Sequence, residues 1–256
     1  MESAGPDTAP PQVVILGVPV HAVTFAGLLD AVSTWIARGD RTYQVCTASP
    51  EFVMIAQDNA AFRQVLRQAD LCVADGVGLL LAARFLGHRL PERVTGSDGL
   101  PLIAERAAQA GWSLFLLGAA PGVAEQAAAN LTRRFPGLRI AGTYAGSPDP
   151  SEDEALVARV NASGADILFV AYGAPRQDLW IARNAPRLNA RVAIGVGGAL
   201  DFAAGKVPRA PRWMQRAGLE WLFRLLREPW RWRRMLRLPR FVWAVIRNRE
   251  RALDGK

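Results

Sequence analysis

The 256-residue sequence predicts an α/β protein: a Rossmann-like, mostly parallel sheet with helices on both faces, plus a C-terminal helical appendage. Three observations predict it. Short β-rich runs alternate with longer segments whose apolar residues stand three and four apart, the spacing of a helix face. The β-rich runs are continuously apolar instead of alternating, as in strands covered on both sides. After Gly205 the strands stop, and a helical pattern interrupted by Pro229 and Pro239 continues to the end.

In chain order the expected strands are Val13–Gly17, Tyr43–Thr47, Leu71–Ala74, Ser113–Leu117, Arg139–Gly142, Asp166–Ala171 and Val192–Val196. Helical periodicity marks Phe25–Ile36, Pro50–Leu66, Ser97–Ala110, Pro121–Phe135, Glu152–Asn161 and Gln177–Asn184. Ser49 before Pro50 is a favoured helix start, because the hydroxyl caps a free amide and proline suits the first turn. Ser151 followed by Glu154 has the spacing of a capping box, with carboxylates at the positive end of the helix dipole. Residues 1–12, with Glu2, Asp7 and three prolines, are expected to be disordered. They carry neither the basic nor the apolar region of a signal peptide. Residues 13–205 form the core and 206–256 the appendage.

Charge divides the chain at the same place. The formal net charge is +8, from 31 basic and 23 acidic residues. Residues 206–256 hold 15 basic and 4 acidic groups, a net +11, so residues 1–205 hold 16 and 19, a net −3. Five of the eight tryptophans also lie after position 206. A basic, Trp-rich tail on a neutral body points to an anionic partner surface, either membrane or nucleic acid. No stretch reaches the roughly 18 uninterrupted apolar residues of a spanning helix. The expectation is a cytoplasmic protein. Cys46 and Cys72 are too few for a disulfide framework, and with only His21 and His88 beside them a zinc site is not expected.

In open α/β sheets, ligands bind beyond the carboxyl ends of the strands. The segments there are rich in small residues: Thr47 to Glu51, Ala74 to Gly78, Gly118 to Gly122, Tyr172 to Gln177, and Gly195 to Asp201. Small residues let backbone amides approach a phosphate, and the helix start that follows favours an anion. The same residues also suit tight packing. Five such ends on one rim favour a nucleotide-type cleft, with Gly118, Gly197 and Gly198 among the phosphate-approach positions. The glycines at 195, 197 and 198 do not have the dinucleotide-fingerprint spacing.

The strings TASPEFV (47–53), ADLCVADGVG (69–78), LPERVTGSD (90–98), FLLGAAPGVAE (115–125), VAYGAPRQDLWI (170–181), GVGGALDFAAG (195–205) and RAPRWMQRAGLEWLFRLLREPWR (209–231) together resemble the WecG/TagA/CpsF family, glycosyltransferase family 26. The resemblance implies an inverting transferase of cell-surface polysaccharide or teichoic acid assembly. Its donor would be a UDP-sugar, with an N-acetylmannosamine-type hexose favoured and UDP-glucose or a UDP-uronic acid as alternatives. The acceptor would be an undecaprenyl-diphosphate-linked saccharide at the inner face of the cell membrane. A non-catalytic module binding nucleotide-sugar or nucleic acid is the remote rival, and homo-oligomerisation is left open.

Each site candidate has a plainer reading beside the functional one. Asp75, before Gly76, suits a turn, but it matches the family's proposed general base, which takes the proton of the acceptor hydroxyl. Thr47 and Ser49 line the pocket in the family, whereas Ser49 alone reads as a helix cap, and relatives usually carry Asn there. No D-x-D motif is present, so no metal cofactor is expected and arginine must steady the departing diphosphate. Arg93 is the candidate, with Asp98 organising the same loop. Gln177 and Asp201 match pocket positions, Asp201 being suited to the ribose hydroxyls or simply to a helix start. Tyr144 is either a uracil stacker or a core aromatic.

In the tail, Trp221, Leu222, Leu225 and Leu226 share a helical face, and Trp230, Trp232, Phe241 and Trp243 lie among arginines. That is the composition of a segment lying on an anionic membrane surface. The prominence of Trp and Leu speaks against nucleic acid as partner. The resemblance adds that Arg224, Arg231 and Arg234 fold over the pocket toward the diphosphate.

Overall fold

The computed structural model describes residues 10–211, 213–214, 218–229 and 232–254, with the backbone alone at 233, 234 and 250–254. The chain opens with a hairpin of β1 (Gln12–Ile15) and β2 (Val18–His21), paired antiparallel with Ile15 opposite Val18. The two-residue loop, Leu16 and Gly17, has φ of 49° and 81°. Two positive φ values match the right-handed twist of paired strands, and glycine takes one of them without strain. The expected strand Val13–Gly17 is therefore not part of the parallel sheet, and β2 is an addition to the predicted set.

The main sheet comprises β3 (Tyr43–Ala48), β4 (Leu71–Ala74), β5 (Ser113–Gly118), β6 (Arg139–Tyr144), β7 (Ile167–Ala171) and β8 (Val192–Gly195). Its order is β4-β3-β8-β7-β5-β6, and every neighbouring pair is parallel. Helices α1 (Phe25–Arg38), α2 (Pro50–Asp58), α3 (Ala60–Gln68), α4 (Val77–Phe85), α5 (Gly96–Ala110), α6 (Val123–Arg134), α7 (Asp153–Ser163), α8 (Arg176–Asn184) and α9 (Ala199–Ala203) cover it. One face packs α1, α5, α6 and α9 through Leu28, Val32, Ile103, Leu131 and Leu200. The other packs the hairpin with α2, α3 and α4, and further along α7 and α8 around Trp180. In β4, Leu71 and Val73 face the first layer, Cys72 and Ala74 the second. Two covered faces explain the unbroken apolar runs, as the sequence predicted.

Three local expectations are corrected. Pro50–Leu66 is two helices, because Asn59 ends α2 and its side-chain oxygen accepts from the Phe62 amide at 2.9 Å, capping α3. The capping box at Ser151 does not form. Asp149 accepts from the Ser151 amide instead and starts a 3₁₀ turn, and α7 begins at Asp153, held by Arg183 at 2.9 Å. Helix α4 was not expected; it follows Gly76, at φ 128°, without a side-chain cap to announce it.

Beyond α9 come α10 (Glu220–Arg227), α11 (Trp232–Met235) and α12 (Arg237–Asp254). Helix α12 lies along α2: Phe241 and Val245 are buried with Val13, Ile15 and Phe52, and Arg237 Nη1 meets Glu51 Oε1 at 2.7 Å. Among the described residues no helix is long and apolar enough to cross a membrane. From β3 the chain moves outward to β4, whereas β8 arrives from the other half of the sheet. The carboxyl ends of β3 and β8 thus flank a switch point, where an open α/β sheet leaves a crevice.

Candidate active site

Asp75 stands at the end of β4, its amide donating to Ala48 O at 2.6 Å. The Val94 amide donates to Ala74 O at 2.9 Å and draws the loop carrying Arg93 across the strand end. Glu92 fixes that loop from behind, accepting from the Phe25 amide at 2.8 Å. The Gly96 amide then donates to Asp75 Oδ2 at 3.1 Å. Burial pushes the Asp75 carboxyl up to about 6; the Gly96 amide and Arg93 oppose this, while the charges of Glu220 and Asp98 add to it. At neutral pH the group is mostly ionised and more basic than a free carboxylate, which is what a general base requires.

Thr47 is buried one strand away, and its hydroxyl donates to Gly195 O at 2.8 Å, tying β3 to β8. A side chain on Gly96 would come within 3.6 Å of the Thr47 methyl and 3.4 Å of Val196 O, so the ends of three strands meet around Asp75. Gln177, also buried, accepts on Oε1 from Gly197 N at 2.9 Å and Gly173 N at 3.1 Å. It thereby joins the loops after β7 and β8. Beneath it Asp178 is fully buried, and burial raises its carboxyl to about 7.

The basic side of the cleft is an ion-pair chain. Arg93 pairs with Oε2 of Glu220, at the start of α10. Oε1 of the same carboxylate lies 3.5 Å from Arg209 Nη2, and Arg209 Nη1 meets Asp98 Oδ1 at 2.6 Å. Burial disfavours the Asp98 charge, but the bonds from Arg209 and Thr95 outweigh it and hold this carboxyl below its usual range. The Arg209 and Arg224 guanidiniums lie 6.0 and 4.9 Å from the centre of the Phe202 ring. Arg224 also covers Gly198, where an added Cβ would sit 3.1 Å from its Nη2. Among the described residues no three His, Cys, Asp or Glu side chains converge as metal ligands.

A half-buried carboxylate under the charge of Arg93, next to the switch point, suits nucleophile activation beside a departing anion. Residues 13–254 match the sequence model of the glycosyl transferase WecG/TagA/CpsF family. The chain belongs to that family. It is 37% identical over 209 residues to an N-acetylglucosaminyldiphosphoundecaprenol N-acetyl-beta-D-mannosaminyltransferase of Bacillus spizizenii, covering 81% of this chain and 80% of the relative. Proteins of the same name from Bacillus subtilis and Staphylococcus aureus are 32% and 30% identical. The Bacillus subtilis match spans 80% of this chain and 79% of the relative, and the Staphylococcus aureus match 96% of each. The protein is a glycosyltransferase.

The transferase gathers Thr47, Asp75, Arg93, Gln177, Gly197, Gly198, Asp201 and Arg224 at one end of the sheet. Asp201 lies in the first turn of α9, its Oδ2 3.6 Å from where a Gly198 Cβ would stand. Ser49 caps α2, accepting from the Phe52 amide at 3.4 Å. Gly118, at φ 98°, is required by packing, since a Cβ would lie 2.9 Å from the Ala171 carbonyl carbon. Tyr144 sits on the far edge strand, one ring face covered by Arg159 at 4.2 Å. Arg231 lies outside the described residues, as does the side chain of Arg234. Arg209, Glu220 and Phe202 were not among the sequence candidates. A signal for Glu220 existed: it is one of only four acidic residues among the 15 basic ones after position 205.

Proposed function

We propose that this glycosyltransferase moves an N-acetylmannosaminyl group from its UDP-sugar to undecaprenyl-diphosphate-linked N-acetylglucosamine, with inversion and without a metal ion. The setting of Asp75 carries the reading: a base of pKa about 6 lies under the influence of Arg93 at the switch point. The acceptor hydroxyl oxygen attacks the anomeric carbon as the bond to the donor diphosphate breaks. Asp75 takes the hydroxyl proton, and the UDP anion leaves with its pair of electrons toward Arg93 and Arg224. Thr47, Gln177 and the glycine loop shape the pocket, and Asp201 is suited to accept from ribose hydroxyls. The relatives' names supply the donor sugar and the acceptor.

The same reading places the chain on a membrane surface, the segment from 206 onward serving as anchor and as one wall of the cleft. Trp213, Trp221, Leu226, Trp232, Leu236 and Trp243 are exposed there amid a net charge of +11. Rings and aliphatic side chains suit headgroup depth, and each arginine near an anionic surface contributes about 1 kcal/mol.

The test is release of UDP from UDP-N-acetylmannosamine in the presence of a short-chain lipid-diphosphate-linked N-acetylglucosamine. Turnover with that donor and a β-linked disaccharide product are expected. Preference for UDP-glucose or a UDP-uronic acid would overturn the donor assignment. Flotation with anionic but not neutral vesicles, weakened by salt, is expected for the surface assignment.

A further inference from the structure

Glu220 occupies an unusual place for a carboxylate in a cleft built for an anion. It stands in the first turn of α10 and divides its two oxygens between two guanidiniums, Oε2 to Arg93 and Oε1 to Arg209. Two non-bridging oxygens of a phosphate offer the same arrangement to a pair of arginines. The two arginines come from distant parts of the chain, one from the loop between α4 and α5 and the other from the stretch after α9.

We propose that Glu220 is a built-in stand-in for the donor's diphosphate: it holds Arg93 and Arg209 together beside Asp75 until the diphosphate displaces it. Arg209 is then a third arginine on the leaving group, beside Arg93 and Arg224. The proposal rests on the UDP-sugar reading above and adds two residues to it.

Three observations favour exchange over a fixed pillar. The side chains of Arg93, Glu220 and Arg209 are 20%, 24% and 31% exposed, so the pairs are neither sealed in the core nor free in solvent. Ion pairs of that kind are weak enough to exchange against a more highly charged ligand. Arg209 keeps Asp98 at 2.6 Å when Glu220 leaves, and so stays positioned, while Arg93 is released to the incoming phosphate. Glu220 and Arg224 share α10, so loss of the Glu220 contact frees the helix whose arginine covers Gly198. After transfer, Glu220 competes for the same arginines and helps UDP to leave.

UDP and uridine serve as probes, because uridine carries the base and ribose without the diphosphate. In full-length protein, Glu220→Gln is expected to bind UDP about two- to fivefold more tightly, the worth of a partly exposed ion pair. Uridine affinity should not change. In turnover the same variant should show a lower KM for the donor, a lower kcat and stronger inhibition by UDP, the signature of slowed product release. Arg209→Ala should weaken UDP by about 10–100-fold, the range of a charge-assisted hydrogen bond, and Arg209→Lys should recover part of it. If Glu220→Gln fails to fold, Glu220→Asp retains the charge one methylene further back, and its looser hold should still tighten UDP. UDP affinity that falls or stays level in the folded Glu220 variant, or uridine affinity that rises in parallel, would overturn the exchange. So would unchanged UDP affinity in Arg209→Ala. Wild-type protein that does not bind UDP at all would overturn the donor reading together with this one.

Discussion

The amide of Gly96 donates to Asp75 Oδ2 at 3.1 Å, locking that carboxylate to the first turn of α5. The loop that delivers Arg93 therefore also aims the Asp75 carboxylate, and the two cannot be adjusted independently. Their relation sets the first expectation.

Asp75→Asn should lower turnover by roughly 10²–10⁴-fold, the usual worth of a positioned base, and alter UDP affinity little. The active form is the carboxylate, so wild-type kcat/KM should fall as pH drops through about 6 and level off above it. The variant should lack that acid limb. A limb that survives the substitution would assign the titration to another group.

Turnover should persist in excess EDTA. Rate lost to chelation and restored by magnesium or manganese would show that a metal, and not the arginine cluster, steadies the leaving diphosphate.

Gly198→Ala tests whether Arg224 must lie where it does. Gly198 has a φ of −78°, so alanine brings no backbone strain, but its Cβ would stand 3.1 Å from Arg224 Nη2. The guanidinium has to give by a few tenths of an ångström. Donor KM should rise several-fold (roughly 1 kcal/mol for one weakened charged hydrogen bond) with the melting temperature unchanged. Equal kinetics would remove Arg224 from the pocket.

Asp178→Asn should stabilise the fold in a pH-dependent way. The buried carboxyl sits at about 7 in the folded chain, above its unfolded value, so folding binds a proton. Stability from this group is fully present below the unfolded value near 4 and is lost as pH rises through 7. The variant's advantage in melting temperature should be absent near pH 4 and largest at pH 8. A constant difference across that range would mean that Asp178 does not titrate there.

Much of this was legible because it is local. Strands covered on both faces must be apolar throughout, and the small residues that follow them mark their ends, which put Thr47, Asp75, Gln177 and Gly197 on one rim, while the family resemblance gave them roles. The hairpin was hidden because Leu16 takes a positive φ, which no turn signature announces. Helix α4 was hidden because Gly76 offers no cap. Arg209 and Glu220 were hidden for another reason. An ion pair spanning 127 residues, like that of Arg93 and Glu220, follows no period, and only the assembled sheet brings its partners together. The expected cap at Ser49 was visible for the opposite reason, being a contact three residues long.

Phe241 and Val245 share one apolar cluster with Val13, Ile15, Val18 and Val20, so a late helix forms part of the wall behind the earliest strands. Both should then open as one cooperative unit in native-state hydrogen exchange. A shortened chain ending before Arg237 should lose amide protection at the hairpin as well as the proposed lipid contact. Conversely, if the chain docks on vesicles as proposed, exchange should slow in residues 12–21, which carry no Lys, Arg, Asp or Glu. The hairpin would report surface attachment without touching the lipid.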